Sequence, residues 1–405
     1  MRICLLHYAV PPVVGGVESV IGHHARLMAD DGHEVVLLAG RGAQTDPRIP
    51  FISLPQVDSR HPEVLAIKAG LDRGVVPYAF EGLAQSLAAD LAGHLGDVDV
   101  LVAHNVCSLN KNLPLTAALK TLAGRAGSPR LVLWHHDLAW TTPRYRAELH
   151  EGYPWDLLRT DWPDAFQVTI SEARRQELAA LLGVPPARIR VVPNGVDASQ
   201  FLKLEHRSLD LVNSLDLLAA SPLLLLPVRI TPRKNIELAL RGLAALRQTF
   251  PQARLVVTGP LGPHNPANTA YYDRLIALRS ELGLEQAAVF LAEQVQEYLP
   301  DEVIADFYRL ADALLLPSRE EGFGIPILEA GLAGLPIFCA DIPSLRELGE
   351  GFASYFLPDA DPAELAGLIA GRLGSDFGFG LRRRVKLAYT WQRIYAESIR
   401  PLLIY

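Results

Sequence analysis

Residues 314–348 read LLLPSREEGFGIPILEAGLAGLPIFCADIPSLREL, and this stretch decides the fold. It opens on a leucine run that suits a strand buried on both faces, and the run stops at Pro317. A loop follows with Glu321, Gly322, Phe323 and Gly324. Pro326 then suits the first turn of a helix whose positive N-terminal end opens toward that loop. Another apolar run comes at Pro336–Cys339. Strand, glycine loop, helix and strand in that order make a βαβ unit of a parallel sheet, and open α/β sheets place ligands at the carboxyl ends of their strands. Glu321 and Glu329 stand eight residues apart, one in the loop and the other about a turn inside the helix. Each carboxylate can accept hydrogen bonds from a vicinal diol, and the glycines let backbone N–H groups approach a sugar or a phosphate.

The same rhythm runs through the chain. Upstream, apolar runs at Ile3–Leu6, Glu34–Ala39, Val98–Ala103, Leu131–Trp134, Gln167–Ile170 and Arg190–Val192 are separated by helical stretches such as Val17–Asp30 and Ala79–Leu95. A polar, leucine-dotted segment at 201–221 then breaks the pattern and places a domain boundary and hinge there. The alternation restarts at Leu223–Pro227 and continues through Arg254–Thr258, Val289–Leu291, Ala313–Leu316 and Ala353–Phe356. Two successive Rossmann-like halves suit 405 residues at ~150 per domain. The amphipathic end, YTWQRIYAESIRPLLIY, is expected to pack as a terminal helix.

Composition excludes several classes. A chain that is 49% hydrophobic and 20% charged is globular, neither disordered nor a disulfide miniprotein. With 38 Lys+Arg against 45 Asp+Glu, it lacks the clustered cations that hold nucleic acid. Cys4, Cys107 and Cys339 stand singly, so neither a disulfide framework nor a C-x-x-C metal site is available, and a reducing cytoplasm is the simplest compartment. No apolar stretch approaches the ~20 residues of a membrane span. The one dense basic run, Arg382–Lys386, reads as a solvated helix start. D-x-D spacings at Asp97–Asp99 and Asp359–Asp361 lie far from the phosphate motifs and read as acidic surface, so no metal site is assigned.

Two further motifs carry chemistry. In PPVVGGVESV, Gly15 and Gly16 form either a plain strand-to-helix turn or an anion site at a helix N-terminus. In Leu226–Asn235, Arg229 and Lys234 sit at the carboxyl edge of a strand, placed to neutralise a diphosphate, and Asn235 reads as a cap for the helix that follows.

Together with VVPNGVD, these motifs give the chain, across nearly its whole length, a pattern that resembles the retaining glycosyltransferases of the GT-B fold, family 4 type, whose E-x7-E signature is met by Glu321 and Glu329. The resemblance implies an α/β architecture of two Rossmann-like domains facing across a cleft. Residues 1–205 would form an acceptor-side domain joined by a terminal helix at 388–405, and 218–387 would bind the nucleotide sugar. It implies that Glu329 holds the ribose hydroxyls and Glu321 the donor hexose, with Arg229 and Lys234 on the diphosphate. Gly16 would reach the diphosphate from the other domain, and Phe323, Gly324 and Ile325 would contact donor through their backbone. His136 would sit beside the reacting sugar, with His104, Asn105 and Asp137 on the acceptor side; His135 directly precedes it, and only one of the two is expected to face the ligand.

The implied reaction moves a hexose from a nucleotide diphosphate sugar to a hydroxyl of a sugar, sugar phosphate, glycan or lipid-linked acceptor. It forms an α-glycosidic bond by same-face attack, assisted by the leaving phosphate, and requires no cofactor or metal. The sequence departs from the family pattern at VFLAEQV, where Ala292 and Glu293 replace a glycine, and at 258–272, where TGPLGPHNPANTAYY replaces a shorter glycine turn. Rival readings are a glycosidase using Glu321 and Glu329 as acid and nucleophile, a nucleotide-sugar epimerase, and a non-catalytic sensor on the same fold.

Overall fold

The computed structural model describes residues 1–261, 266–295 and 299–404; of the segment 258–272, residues 262–265 lie outside them, as does residue 405 of the terminal stretch. The chain divides into two compact units, Met1–Gly195 with Trp391–Tyr405, and Val196–Thr390.

The first unit carries a seven-stranded sheet: β1 (Arg2–Ala9), β2 (Glu34–Arg41), β3 (Phe51–Ser53), β4 (Val100–His104), β5 (Arg130–His135), β6 (Ala165–Thr169) and β7 (Ile189–Val191). Their order is β3-β2-β1-β4-β5-β6-β7, and every pairing is parallel. Side chains alternate across the sheet: Leu131 and Leu133 of β5 enter one apolar cluster, while Val132 and Trp134 enter the cluster on the other face. Burial on both faces explains why these strands read as apolar runs. The second face is completed by the end of the chain, where Trp391, Ile394, Tyr395, Ile399, Leu402 and Leu403 join the same cluster as Ile3 and Leu5. This terminal segment is helical, with one wider π turn at Tyr395–Ile399.

The second unit carries β8 (Leu223–Leu226), β9 (Arg254–Val257), β10 (Ala288–Phe290), β11 (Ala313–Leu316), β12 (Ile337–Ala340) and β13 (Ser354–Phe356). They form a six-stranded parallel sheet in the order β10-β9-β8-β11-β12-β13.

Two expectations are corrected here. The segment 201–221 is not a linker: it contains the whole of the helix His206–Ser214, and Leu204, Leu211 and Leu217 are buried in the core of the second unit. Its backbone is held by that unit, with Asp306 accepting from the Glu205 N–H at 2.7 Å and Arg254 donating to the Leu215 carbonyl at 2.6 Å. The basic run is likewise structural. Lys386 is 8% exposed and donates to Asp312 at 3.0 Å, Arg382 lies 3.3 Å from the same carboxylate, and Arg383 covers the ring of Phe250. Asp312 also accepts the Leu223 N–H at 2.8 Å, so the run anchors a helix to the first strand of its sheet.

Candidate functional site

Parallel pairing puts every strand's carboxyl end at one edge of its sheet, and the singled-out residues lie just beyond those ends. In the second unit, β8 leads into a loop whose short turn Pro232–Lys234 points the Lys234 side chain inward. Lys234 Nζ donates to Glu321 Oε1 at 2.5 Å, both side chains being 9% exposed, and Ser318 Oγ donates to the same oxygen at 2.7 Å. Arg229 lies exposed earlier in the loop.

Asn235 builds this arrangement in a way its sequence position does not reveal. It occupies the cap position of helix Ile236–Leu246, yet its backbone is left-handed (φ 53°) and its side chain makes no capping bond. Its Nδ2 instead donates to the carbonyls of Pro317 at 3.1 Å and Pro358 at 2.8 Å, tying the loops after β11 and β13 to the loop after β8. The helix end is satisfied by Tyr271, whose hydroxyl accepts the Ile236 N–H at 3.1 Å and donates to Glu237. At Gly259 a β-carbon would stand 1.9 Å from the Val228 carbonyl, so only glycine lets the loop after β9 pass here.

The loop 321–325 is open. Phe323 and Ile325 are 57% and 58% exposed, although both are apolar. Gly324 has φ 106° and is packed by Leu345, so local backbone geometry requires glycine there. Gly322 and, in the first unit, Gly16 are different: neither has positive φ, and a β-carbon on either would meet nothing within 4 Å. Fold geometry alone does not demand glycine at these two positions. Glu329 lies on the exposed side of helix Ile325–Leu332, and Tyr308 donates to its Oε2 at 2.5 Å.

In the first unit, helix Gly16–Asp30 starts directly after the Gly15 cap, with Glu18 in its first turn. Strand parity separates the neighbouring histidines. His135, still within β5, faces the Leu131 side and meets Gln167 Oε1 at 2.7 Å. His136 lies beyond the strand end, its Nε2 3.2 Å from Nδ1 of His104, and it is 6% exposed. Asn105 holds this corner: with φ 59°, its Oδ1 accepts the N–H groups of His136 at 2.7 Å and Asp137 at 3.1 Å.

His104 and Asn105, expected on the acceptor side, are 0% and 3% exposed and serve as support beneath His136. Asp137 lies outward, 3.8 Å from Arg144. Burial pushes His136 and His135 down to about 4 and His7 and His24 to about 3, with His104 also well below its ordinary value, so these imidazoles are neutral near pH ~7.

Three of the D-x-D aspartates, Asp97, Asp99 and Asp361, have local structural partners. Asp99 accepts the Arg2 N–H, Asp97 pairs with the Arg2 guanidinium, and Asp361 accepts the Ala363 N–H as a helix cap. Among the described residues no group of three or more His, Cys, Asp or Glu could hold a metal ion.

Residues 14–200 match the family described as Glycosyltransferase Family 4, and residues 214–384 match Glycosyl transferases group 1. The chain belongs to the family 4 glycosyltransferases and has their GT-B architecture of two parallel α/β sheets. It is similar to the MMP alpha-(1->4)-mannosyltransferase of Mycolicibacterium hassiacum, at 26% identity over 98% of this chain and 97% of that protein. A D-inositol 3-phosphate glycosyltransferase of Streptosporangium roseum is 28% identical over 88% of this chain and 80% of its own length. A glycogen synthase of Mycobacterium tuberculosis is 27% identical over 100% and 94%. The protein is a glycosyltransferase.

Proposed function

We propose that the protein transfers a hexose from a nucleotide diphosphate sugar to a hydroxyl acceptor with retention of anomeric configuration, forming an α-glycosidic bond. The observation that carries this reading is the buried Lys234–Glu321–Ser318 cluster beside an open glycine loop, with Glu329 eight residues on. The diphosphate gains negative charge as the glycosidic bond breaks. Lys234, Arg229 and the N-terminus of helix Ile325–Leu332 are the cationic and dipolar groups that meet it, and losing one such donor costs ~10²–10³ in turnover. Gly16 and Gly322 leave backbone open to the donor; Phe323, Gly324 and Ile325 supply further main-chain contacts.

Glu321 takes the hexose hydroxyls and Glu329 the ribose. His136, held neutral, stands beside the reacting sugar with Asp137, and the departing phosphate accepts the acceptor's proton. A glycosidase pair is less well supported, because each carboxylate already has its own partner, Lys234 with Ser318 for one and Tyr308 for the other.

Three relatives of near-equal identity carry names for mannosyl transfer, inositol phosphate and glycogen, so identity alone selects neither hexose nor acceptor. A sugar, sugar phosphate, glycan or lipid-linked hydroxyl fits the reading. No metal or cofactor takes part in it, and we place the reaction in the cytoplasm, in keeping with three single, buried cysteines. Among the described residues no helix is long and apolar enough to cross a membrane.

The test is incubation with UDP-glucose, GDP-mannose, UDP-N-acetylglucosamine and ADP-glucose against a panel of hydroxyl acceptors, with and without excess EDTA. Release of nucleoside diphosphate and an α-configured product by anomeric-proton coupling are expected in both conditions. A β product would overturn retention, loss of activity in EDTA would overturn metal independence, and no nucleotide release from any donor would overturn the transferase reading.

A further inference from the structure

Glu329 projects into solvent from a short helix, where a carboxylate normally samples several rotamers among water molecules. Here it is held from below. Tyr308, on helix Asp301–Leu310, is 4% exposed, with its ring inside the apolar core of the second unit. Its hydroxyl donates to Glu329 Oε2 at 2.5 Å, a charge-assisted bond from a buried ring to an exposed carboxylate. Burial raises the phenol's pKa, so the group stays a donor throughout the working pH range.

We propose that Tyr308 is a positioning residue that presets the Glu329 carboxylate for the ribose hydroxyls of the donor, an inference that rests on the reading of Glu329 given above. The phenol engages one carboxylate oxygen and leaves the other to the ligand. It removes rotamer freedom before binding, so that ordering cost is absent from the binding step. Tyr308 never touches the substrate; its effect passes through Glu329 and is therefore confined to ligands that carry the hydroxyls. Tyr271 provides the contrast within the same unit. Its hydroxyl also donates to a carboxylate, Glu237, but accepts the Ile236 N–H as well and thereby completes a helix end.

The experiment is calorimetric. UDP, GDP and ADP are titrated into the full-length protein, and the tightest binder is compared with its 2′-deoxy and 3′-deoxy counterparts. Wild type is expected to prefer the ribonucleotide by about tenfold or more over at least one deoxy form, since a hydrogen bond to a charged group is lost. In Tyr308→Phe, ribonucleotide affinity falls about tenfold, deoxynucleotide affinity stays put and the preference collapses. Tyr271→Phe lowers the melting temperature and keeps the preference.

An equal loss for ribo- and deoxynucleotides in Tyr308→Phe, or a retained preference, overturns the positioning role. If wild type shows no ribose preference, the Glu329 reading fails and this inference with it. If Glu329→Gln abolishes the preference and Tyr308→Phe does not, only the inference fails. Binding by none of the three nucleotides overturns the nucleotide site itself. Glu329 is solvated, so Tyr308→Phe is expected to fold; Tyr308→Met gives the same ratio should it not.

Discussion

Replacing Glu321 by Gln is expected to move ligand affinity and turnover in opposite directions. In the ligand-free protein the Lys234 ammonium is neutralised by a carboxylate at 2.5 Å, with both side chains 9% exposed. An incoming diphosphate must share that ammonium, which brings its charge to roughly 5 Å from the carboxylate; at an effective dielectric of ~20 the repulsion is about 3 kcal/mol. Removing the carboxylate charge therefore tightens nucleoside diphosphate binding by about 1–3 kcal/mol, or ~10–100-fold.

The apo protein becomes less stable, because a nearly buried ammonium loses its counter-charge at a cost of ~3–5 kcal/mol, a fall of about 6–20 °C in melting temperature for a unit of this size. Hexose transfer falls too, since the sugar loses its carboxylate. Calorimetry with UDP, GDP and ADP, melting curves with and without nucleotide, and turnover measure all three. Weaker nucleotide binding in Glu321→Gln than in wild type would refute the reasoning.

Acid should destabilise the first unit. Buried His7, His24, His104, His135 and His136 have folded pKa values below their ordinary one, so the unfolded chain binds more protons and stability drains away as pH falls from ~6.5 toward the folded values. At pH ~5.5 each costs on the order of 1 kcal/mol, so the cluster costs several kcal/mol, and urea unfolding at ~7.5 and ~5.5 should show it; a flat profile would contradict the buried cluster. Asp312→Ala removes the partner of buried Lys386 and of the Leu223 N–H and is expected to cost ~3–5 kcal/mol in the second unit, read by the denaturation midpoint. Gly324→Ala, at φ 106° and against Leu345, should cost ~1–2 kcal/mol, whereas Gly16→Ala and Gly322→Ala should change stability by under ~0.5 kcal/mol and still weaken nucleotide binding.

Strands that are buried on both faces advertise themselves as apolar runs, so both sheets and the loops at their carboxyl ends were legible in the sequence, except for the three-residue, half-exposed β3, which lacks such a run. What escaped was long-range pairing. Asn235 precedes a helix and looks like a cap, and nothing local shows that its amide reaches Pro317 and Pro358. Arg382–Lys386 looks like a solvated cluster until Asp312, far back in sequence, is seen beneath it. Tyr308 sits in an ordinary amphipathic helix, and its link to Glu329 depends on how two helices pack. Strand parity turns His135 toward the Leu131 side and Gln167, while His136 lies past the strand end against His104, an arrangement that the sequence alone left open. The leucines of 201–221 were too sparse to reveal helices that dock onto the second core.

The return of residues 391–404 to the first unit orders events during synthesis. The second unit is one continuous segment, whereas the first is completed by residues made only after that segment. Trp391, Ile394, Tyr395, Ile399, Leu402 and Leu403 belong to the same cluster as Ile3 and Leu5, so until they arrive that face is covered only in part, by residues such as Ile21, Ala25 and Met28 of helix Gly16–Asp30. Domains that emerge first usually fold first. In this chain the N-terminal sheet must wait, exposing apolar surface that invites chaperone binding, while the later-made unit can close on its own. Truncation before Trp391 would thus damage the first unit rather than the second.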